Sequence, residues 1–249
     1  MDTSPIVAVA SFADDLEAVS ELLAALPAEC SVTLIIAQHL NGARERLVAE
    51  ALAKRTSLPV AHAHDGVVAA QGHVYVGPAN VTLTVTGRRI RVTPGASKLH
   101  HPGDTLLTSL AEECGESAIG VVLSGAGSDG ALGIRAIRQR GGTTFAQYPG
   151  SARFPSMPIS AIETGCVALV LRPNEIAREL TRLSCHAALP ADVCPGRPSK
   201  RPPNSRSGFG IDPAVVRSLV RLPEETASAA IEQGSELPVV LRSVLTCGQ

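Results

Sequence analysis

Three side chains of complementary chemistry, Ser11, His39 and Asp129, each follow a short apolar run of the sequence. The runs are β-branched and closed by small residues, which is typical of strands buried on both faces. The carboxyl ends of parallel strands meet at one edge of a sheet, where ligands bind in open α/β proteins. A hydroxyl, an imidazole and a carboxylate can serve as nucleophile, base and orienting group. The spacing therefore predicts a candidate Ser–His–Asp triad.

Strand and helix patterns alternate from residue 5 to residue 188, which favours a doubly wound, mostly parallel, Rossmann-like α/β sheet with helices on both faces. Residues 59–93 instead alternate with period two, around Thr86-Gly87-Arg88, and predict an appended antiparallel hairpin. We predict strands at residues 6–10, 32–37, 119–123, 143–147 and 167–171. Helices are predicted after the first two strands, at 104–114, 131–140 and 159–163, and from 173.

The chain has 249 residues and divides by composition into three parts. Residues 1–188 form the predicted α/β domain, and residues 189–211 are rich in proline, glycine and basic residues, as a solvated linker is. Residues 212–249 carry fragments of a helical pattern that are too short for an independent core. We expect this last segment to be helical or partly disordered.

Charge and hydropathy exclude several classes of function. The 22 basic and 23 acidic residues give a net charge of −1, so no nucleic-acid partner is expected. No apolar run approaches the roughly 20 residues that span a bilayer, and no signal peptide precedes the first strand. The six cysteines form no CxxC pair. We expect a soluble, cytoplasmic protein with no membrane insertion.

Two other kinds of site compete with the triad in this sequence. The turn at residues 125–130 fits GxGxxG, but Asp129 places a carboxylate where a pyrophosphate would bind, and no acidic residue follows about twenty positions later. Histidines recur nearby in sequence without a ligand set of metal-site spacing, namely His62, His64, His73, His100 and His101. We therefore predict neither a cofactor nor a metal.

Several strings resemble the catalytic domain of the CheB-type protein-glutamate methylesterases. They are IIAQHL (35–40), LSGAGSDGALGIRAI (123–137), GGTTFAQ (141–147), Met157-Pro158 and His101-Pro102. The resemblance spans about residues 6–183 and implies the doubly wound fold with a hairpin. It also implies that His39 and Asp129 are the family's catalytic histidine and aspartate.

The family's nucleophile loop has changed in this chain. Family members carry GASxGG at the end of the first strand, where this chain reads ASFADD from Ala10. An alignment without a gap places the family serine on Phe12, whereas one inserted residue places it on Ser11. We predict Ser11, because a phenylalanine cannot act as a nucleophile. Asp14 and Asp15 also replace both glycines, and Ala126 replaces the methionine of the family's glycine turn.

The resemblance implies hydrolysis of glutamyl methyl esters on chemotaxis-type receptors, together with deamidation of receptor glutamines in some members. It implies methylated chemoreceptor-like proteins as partners, and a receptor methyltransferase is a further candidate. The alternative is a catalytically degenerate module that binds a signalling partner without hydrolysis. The first strand begins at residue 6, so no receiver domain is expected before it, and regulation would come from another chain or the C-terminal segment.

Overall fold

The computed structural model describes residues 4–12, 15–39, 45–95 and 101–187, with the side chains of 39, 45–46 and 185–187 excluded. The strands are β1 (Ile6–Phe12), β2 (Thr33–His39), β3 (Val60–His62), β4 (Val74–Val76), β5 (Val81–Thr86), β6 (Arg89–Pro94), β7 (Ile119–Val122), β8 (Thr143–Gln147) and β9 (Leu169–Leu171). The helices are α1 (Leu16–Ala24), α2 (Glu45–Ala53), α3 (Pro102–Cys114), α4 (Ala131–Gln139), α5 (Ser156–Glu163) and α6 (Pro173–Ala187).

Seven strands form one sheet in the order β3-β4-β2-β1-β7-β8-β9, and every neighbouring pair is parallel. The chain starts in the middle of the sheet and winds outward first to one side and then to the other. Strands β5 and β6 form a separate antiparallel hairpin. The doubly wound fold with an appended hairpin, predicted from the sequence, is confirmed.

Strand β1 divides the core into two layers because successive side chains point to opposite faces of a sheet. Val7 and Val9 pack in the layer that contains residues of α1, α2 and α6. Ala8 and Ala10 pack in the layer that contains residues of α3, α4 and α5. We call these layers the α1/α6 face and the α3/α4 face of the sheet.

Two predictions about the strands were wrong in detail. The strands predicted to end at Ala10 and Ala37 extend to Phe12 and His39, so Ser11 and His39 lie within the last positions of β1 and β2 rather than after them. The segment Val74–Val76, expected to belong to the hairpin region, is fully buried and pairs in parallel with β2 and β3. Period two describes any half-buried strand, so it did not distinguish the two kinds of pairing.

The predicted linker at 189–211 and the C-terminal segment at 212–249 lie outside the described residues, and so do Ala13 and Asp14. Among the helices that the structure describes, none combines the length and apolar composition needed to cross a bilayer.

Candidate active site

Asp129 lies in the turn that joins β7 to α4, at the carboxyl edge of the sheet. The residue is buried, with 3% of its surface exposed. Gly127 and Gly130 flank it with φ of 90° and 92°, a backbone region that residues with a Cβ rarely adopt. The glycines of this turn therefore allow the backbone conformation that places Asp129 inside the protein.

The Asp129 carboxylate binds the first turn of α3. Its Oδ2 accepts a hydrogen bond from the Gly103 N–H at 2.9 Å, and its Oδ1 accepts one from the Asp104 N–H at 2.8 Å. These N–H groups have no partner within the helix, and the positive end of the helix dipole favours an anion beside them. The carboxylate is therefore fixed in one orientation and stabilised in its charged form.

Asp104 makes the reciprocal contact with α4. Its Oδ1 accepts a hydrogen bond from the Gly133 N–H at 3.0 Å. Burial raises the pKa of the Asp104 carboxyl above its ordinary value of 3.8, the Gly133 N–H opposes that rise, and the charge of Asp129 adds to it. The two aspartates thus hold the amino ends of two adjacent helices together.

His101 brings an imidazole to Asp129. Its Nδ1 lies 3.8 Å from the Asp129 Oδ1, and the His101 side chain is 48% exposed. His101 is the residue immediately before α3, so the same helix end that binds the carboxylate also positions this ring. When protonated, the imidazole can form an ion pair with Asp129 from the solvent side of the site.

His101, Asp104 and Asp129 each present a ligand atom within 4.8 Å of the others, which is the spacing of a metal site. The carboxylate oxygens, however, already accept backbone N–H groups at two helix amino ends. Those positive helix ends oppose a bound cation. We interpret the cluster as a helix-capping arrangement.

Ser11 is 1% exposed, and its hydroxyl oxygen accepts a hydrogen bond from the Gln38 Nε2 at 3.0 Å. Ser11 follows Ala10 in β1, so alternation places its side chain on the α1/α6 face. Asp129 lies on the other face, because a Cβ at Gly103 would meet both Ala10 and the Asp129 Oδ2. The structure therefore does not bring Ser11 and Asp129 together.

Phe12 occupies the last position of β1, and alternation from Ala10 places its side chain on the α3/α4 face, where Asp129 lies. Its ring packs edge to face against Phe154, with 5.7 Å between the ring centroids. Its backbone N–H donates to the Ser124 carbonyl, and its own carbonyl accepts from the Asp15 N–H. Neither of these N–H groups is available to stabilise an oxyanion.

His39 pairs with Phe12 in the register of β1 and β2, so its backbone lies at the same edge of the sheet as the candidate site. Its side chain lies outside the described residues. The predicted approach of the His39 ring to Asp129 stays a prediction.

Sequence reasoning missed the contacts of Gln38, Asp104 and Phe154. Gln38 stands next to His39 in the string IIAQHL, and Asp104 lies in the first turn of α3, two residues after Pro102. An aspartate in a first helical turn is a common capping signal, and the fold adds that its partner is the next helix of the sheet layer.

The same contacts argue against the dinucleotide alternative. A pyrophosphate would bind the amino end of α4. In this chain the Asp104 carboxylate already occupies the Gly133 N–H at that helix end, and Asp129 adds a second negative charge nearby.

Comparison with known proteins agrees with the fold. Residues 7–180 match the model of the CheB methylesterase family. A protein-glutamate methylesterase/protein-glutamine glutaminase 3 of Paramagnetospirillum magneticum is 35% identical over 182 residues, which cover 72% of this chain and 51% of that protein. A protein-glutamate methylesterase/protein-glutamine glutaminase of Escherichia coli K12 is 32% identical over 196 residues, covering 76% of this chain and 56% of that protein.

Among solved structures, the CheB methylesterase catalytic domain of Thermotoga maritima superimposes with a TM-score of 0.67 at 26% identity. The match covers 73% of this chain and all of that domain. The chain spans about half the length of the curated relatives it matches. On the family model, the relatives and the fold, this chain belongs to the CheB methylesterase family.

Proposed function

We propose that this chain receives the glutamyl methyl ester or glutamine side chains of a chemoreceptor-type signalling protein at the carboxyl edge of its sheet. The observation that carries the proposal is the fixed Asp129 carboxylate, buried and bound by two backbone N–H groups within the family's glycine turn. The names of the relatives support the glutamyl substrate. The Phe12 ring at the end of β1 offers an apolar surface for an ester methyl group on the face where Asp129 lies.

Hydrolysis is the reaction for which the relatives are named, and in this chain we assign it to Ser11, His39 and Asp129. Ser11 would attack the γ-carbonyl carbon while His39 takes its proton, and methanol would leave with the proton returned by His39. Water would then hydrolyse the acyl-enzyme, and Asp129 would stabilise the imidazolium. For this the Ser11 hydroxyl must leave the Gln38 amide and reach the α3/α4 face.

A second function, binding without hydrolysis, is favoured by a specific observation. The Ser11 hydroxyl is buried on the α1/α6 face, while Phe12 occupies the end of β1 on the Asp129 face. A chain so arranged would hold the substrate side chain without the Ser11 hydroxyl beside its carbonyl carbon. It would then act as a module that recognises the methylated receptor.

Methanol release from a receptor signalling domain carrying tritiated methyl esters separates the two functions. Hydrolysis by the triad predicts release by the wild type, loss in Ser11→Ala, and a decrease of about 10²–10⁴-fold in His39→Ala. Binding without hydrolysis predicts no release by the wild type and the appearance of release in Phe12→Ser. Ser128→Ala is the matched control, because Ser128 is exposed in the same turn as Asp129.

Receptor affinity, measured in parallel, tests the proposal as a whole. The contact proposed between the Phe12 ring and the ester methyl group predicts that the chain binds the methylated receptor domain more tightly than the unmethylated one. Equal affinity for the two forms, together with no methanol release from the wild type or Phe12→Ser, would contradict both.

A further inference from the structure

Helix α4 presents an exposed basic face immediately after the Asp129 turn. Ile134 and Ile137 point into the core and are fully buried. Leu132, on the outer side, is 64% exposed, and Arg135 and Arg138 are also exposed. We define these three outer residues, Leu132, Arg135 and Arg138, as the α4 strip.

The charge around the α4 strip differs from that of the chain as a whole. The chain has a net charge of −1, yet no aspartate or glutamate occurs between Asp129 and Glu163. The same stretch holds four arginines, all of them exposed: Arg135, Arg138, Arg140 and Arg153. Glu116 packs beside Gly141 beyond the end of α4, and the Asp104 and Asp129 carboxylates near the amino end of the helix accept hydrogen bonds from backbone N–H groups.

The arginines of the α4 strip have no ion-pair partner among the described residues. Elsewhere in that part of the chain, exposed arginines do pair, as Arg91 does with Asp65 and Arg182 with Glu179. A guanidinium with no internal partner keeps its donors available for a carboxylate of another molecule.

The position of the α4 strip links it to the candidate site. Helix α4 starts two residues after Asp129, and a helix rises about 1.5 Å per residue, so Arg135 and Arg138 lie about 6 and 10 Å along the axis from Ala131. A polypeptide with one side chain at Asp129 would therefore carry neighbouring side chains across this face.

We propose that the α4 strip is a docking surface for an acidic segment of polypeptide, the segment that carries the glutamyl side chains. This inference rests on the proposed function and names the chemistry of the partner around the site. A segment rich in glutamate presents carboxylates to the arginines. Leu132, which is 64% exposed, adds an apolar contact next to the turn.

Fluorescence anisotropy with two labelled 20-residue peptides, one rich in glutamate and one with glutamine at the same positions, tests the surface. The variant Arg135→Glu/Arg138→Glu should weaken binding of the glutamate peptide about fivefold to tenfold, as expected for reversing two exposed charges, and should leave the glutamine peptide unaffected. The control Arg55→Glu/Arg178→Glu makes the same charge change just after α2 and on α6, respectively, and should change the affinity for neither peptide. Added salt should weaken the binding of the glutamate peptide and leave the binding of the glutamine peptide unchanged.

An unchanged affinity in the α4 double variant, or an equal loss in the control, would overturn the inference. The inference would also be overturned if a single-stranded 20-mer of thymidine bound as tightly as the glutamate peptide and the same variant abolished that binding. This result would show a nucleic-acid surface. A third peptide with one glutamyl methyl ester separates the two proposals. Equal affinity with and without the ester counts against the proposed function, whereas an intact ester preference with no arginine effect counts against the α4 strip.

Discussion

Asp129 and Asp104 exchange capping hydrogen bonds between two adjacent helices. Asp129 accepts the Asp104 N–H at the start of α3, and Asp104 accepts the Gly133 N–H in the first turn of α4. The residue proposed to orient a catalytic imidazole is thus also a structural member of the α3/α4 layer. Substitution of Asp129 is therefore expected to change stability as well as activity.

Asp129→Ala should lower the free energy of unfolding by about 2–4 kcal/mol, because it removes the acceptor for two N–H groups at a helix end. Asp129→Asn should retain much of that stability, since its amide oxygen can still accept one of the bonds. Urea denaturation measures both. A value for Asp129→Ala equal to that of Ser128→Ala, the exposed neighbour, would show that the carboxylate does not hold α3.

Asp104→Asn should alter the pH dependence of stability. Burial raises the folded-state pKa of Asp104 above 3.8, so the folded chain binds the proton more tightly than the unfolded chain. The stability from this proton is fully present below the unfolded-state pKa and is lost as pH rises through the raised folded-state pKa. The Asp104→Asn side chain keeps an oxygen that can accept the hydrogen bond from the Gly133 N–H, but it carries no charge.

The expected result is a higher free energy of unfolding for Asp104→Asn than for the wild type at neutral pH, with a difference that shrinks as the pH is lowered toward 4. Urea titrations across that range measure it. Asp104→Ala, which removes the acceptor, should be less stable than Asp104→Asn at every pH. A pH-independent difference between Asp104→Asn and the wild type would show that the buried charge is not the cause.

The order of strands and helices was predictable because each element of a doubly wound fold carries its own hydrophobic period. Thr143–Gln147 was predicted with the bounds that the structure gives. Val74–Val76 was assigned to the wrong partner, because pairing depends on residues distant in sequence that no local pattern records.

The candidate site was predictable to the level of a sheet edge but not to the level of a face. Ser11 and Asp129 both stand at carboxyl ends of neighbouring strands, as expected. Successive residues of a strand point to opposite faces of the sheet. Because β1 extends to Phe12, the Ser11 side chain lies on the face where it contacts Gln38, and Phe12 shares the other face with Asp129. The pattern of apolar residues does not predict where a strand ends when polar and small residues follow it.

Ser11→Ala should destabilise the fold by about 1–3 kcal/mol, because it leaves the buried Gln38 amide without the hydroxyl that it contacts. The Gln38 Oε1 already has no hydrogen-bond partner among the described residues. Gln38→Leu should therefore relieve part of the loss in a Ser11→Ala background. Thermal denaturation of the single and double variants gives the coupling between the two residues, and additive effects would show that the hydrogen bond contributes nothing.

Gly103→Ala should displace the amino end of α3 from Asp129. A Cβ at residue 103 would lie 2.6 Å from the Ala10 Cβ and 2.9 Å from the Asp129 Oδ2, and neither neighbour can move freely within the packed layer. Overpacking of this kind costs about 1–3 kcal/mol, and receptor affinity should fall with stability because the carboxylate loses its N–H donors. Ala10→Gly removes the closest contact, so the Ala10→Gly/Gly103→Ala variant should recover part of both losses. If Gly103→Ala matched the wild type in stability and in affinity for the methylated receptor, the close approach of α3, β1 and Asp129 could not be what fixes the candidate site.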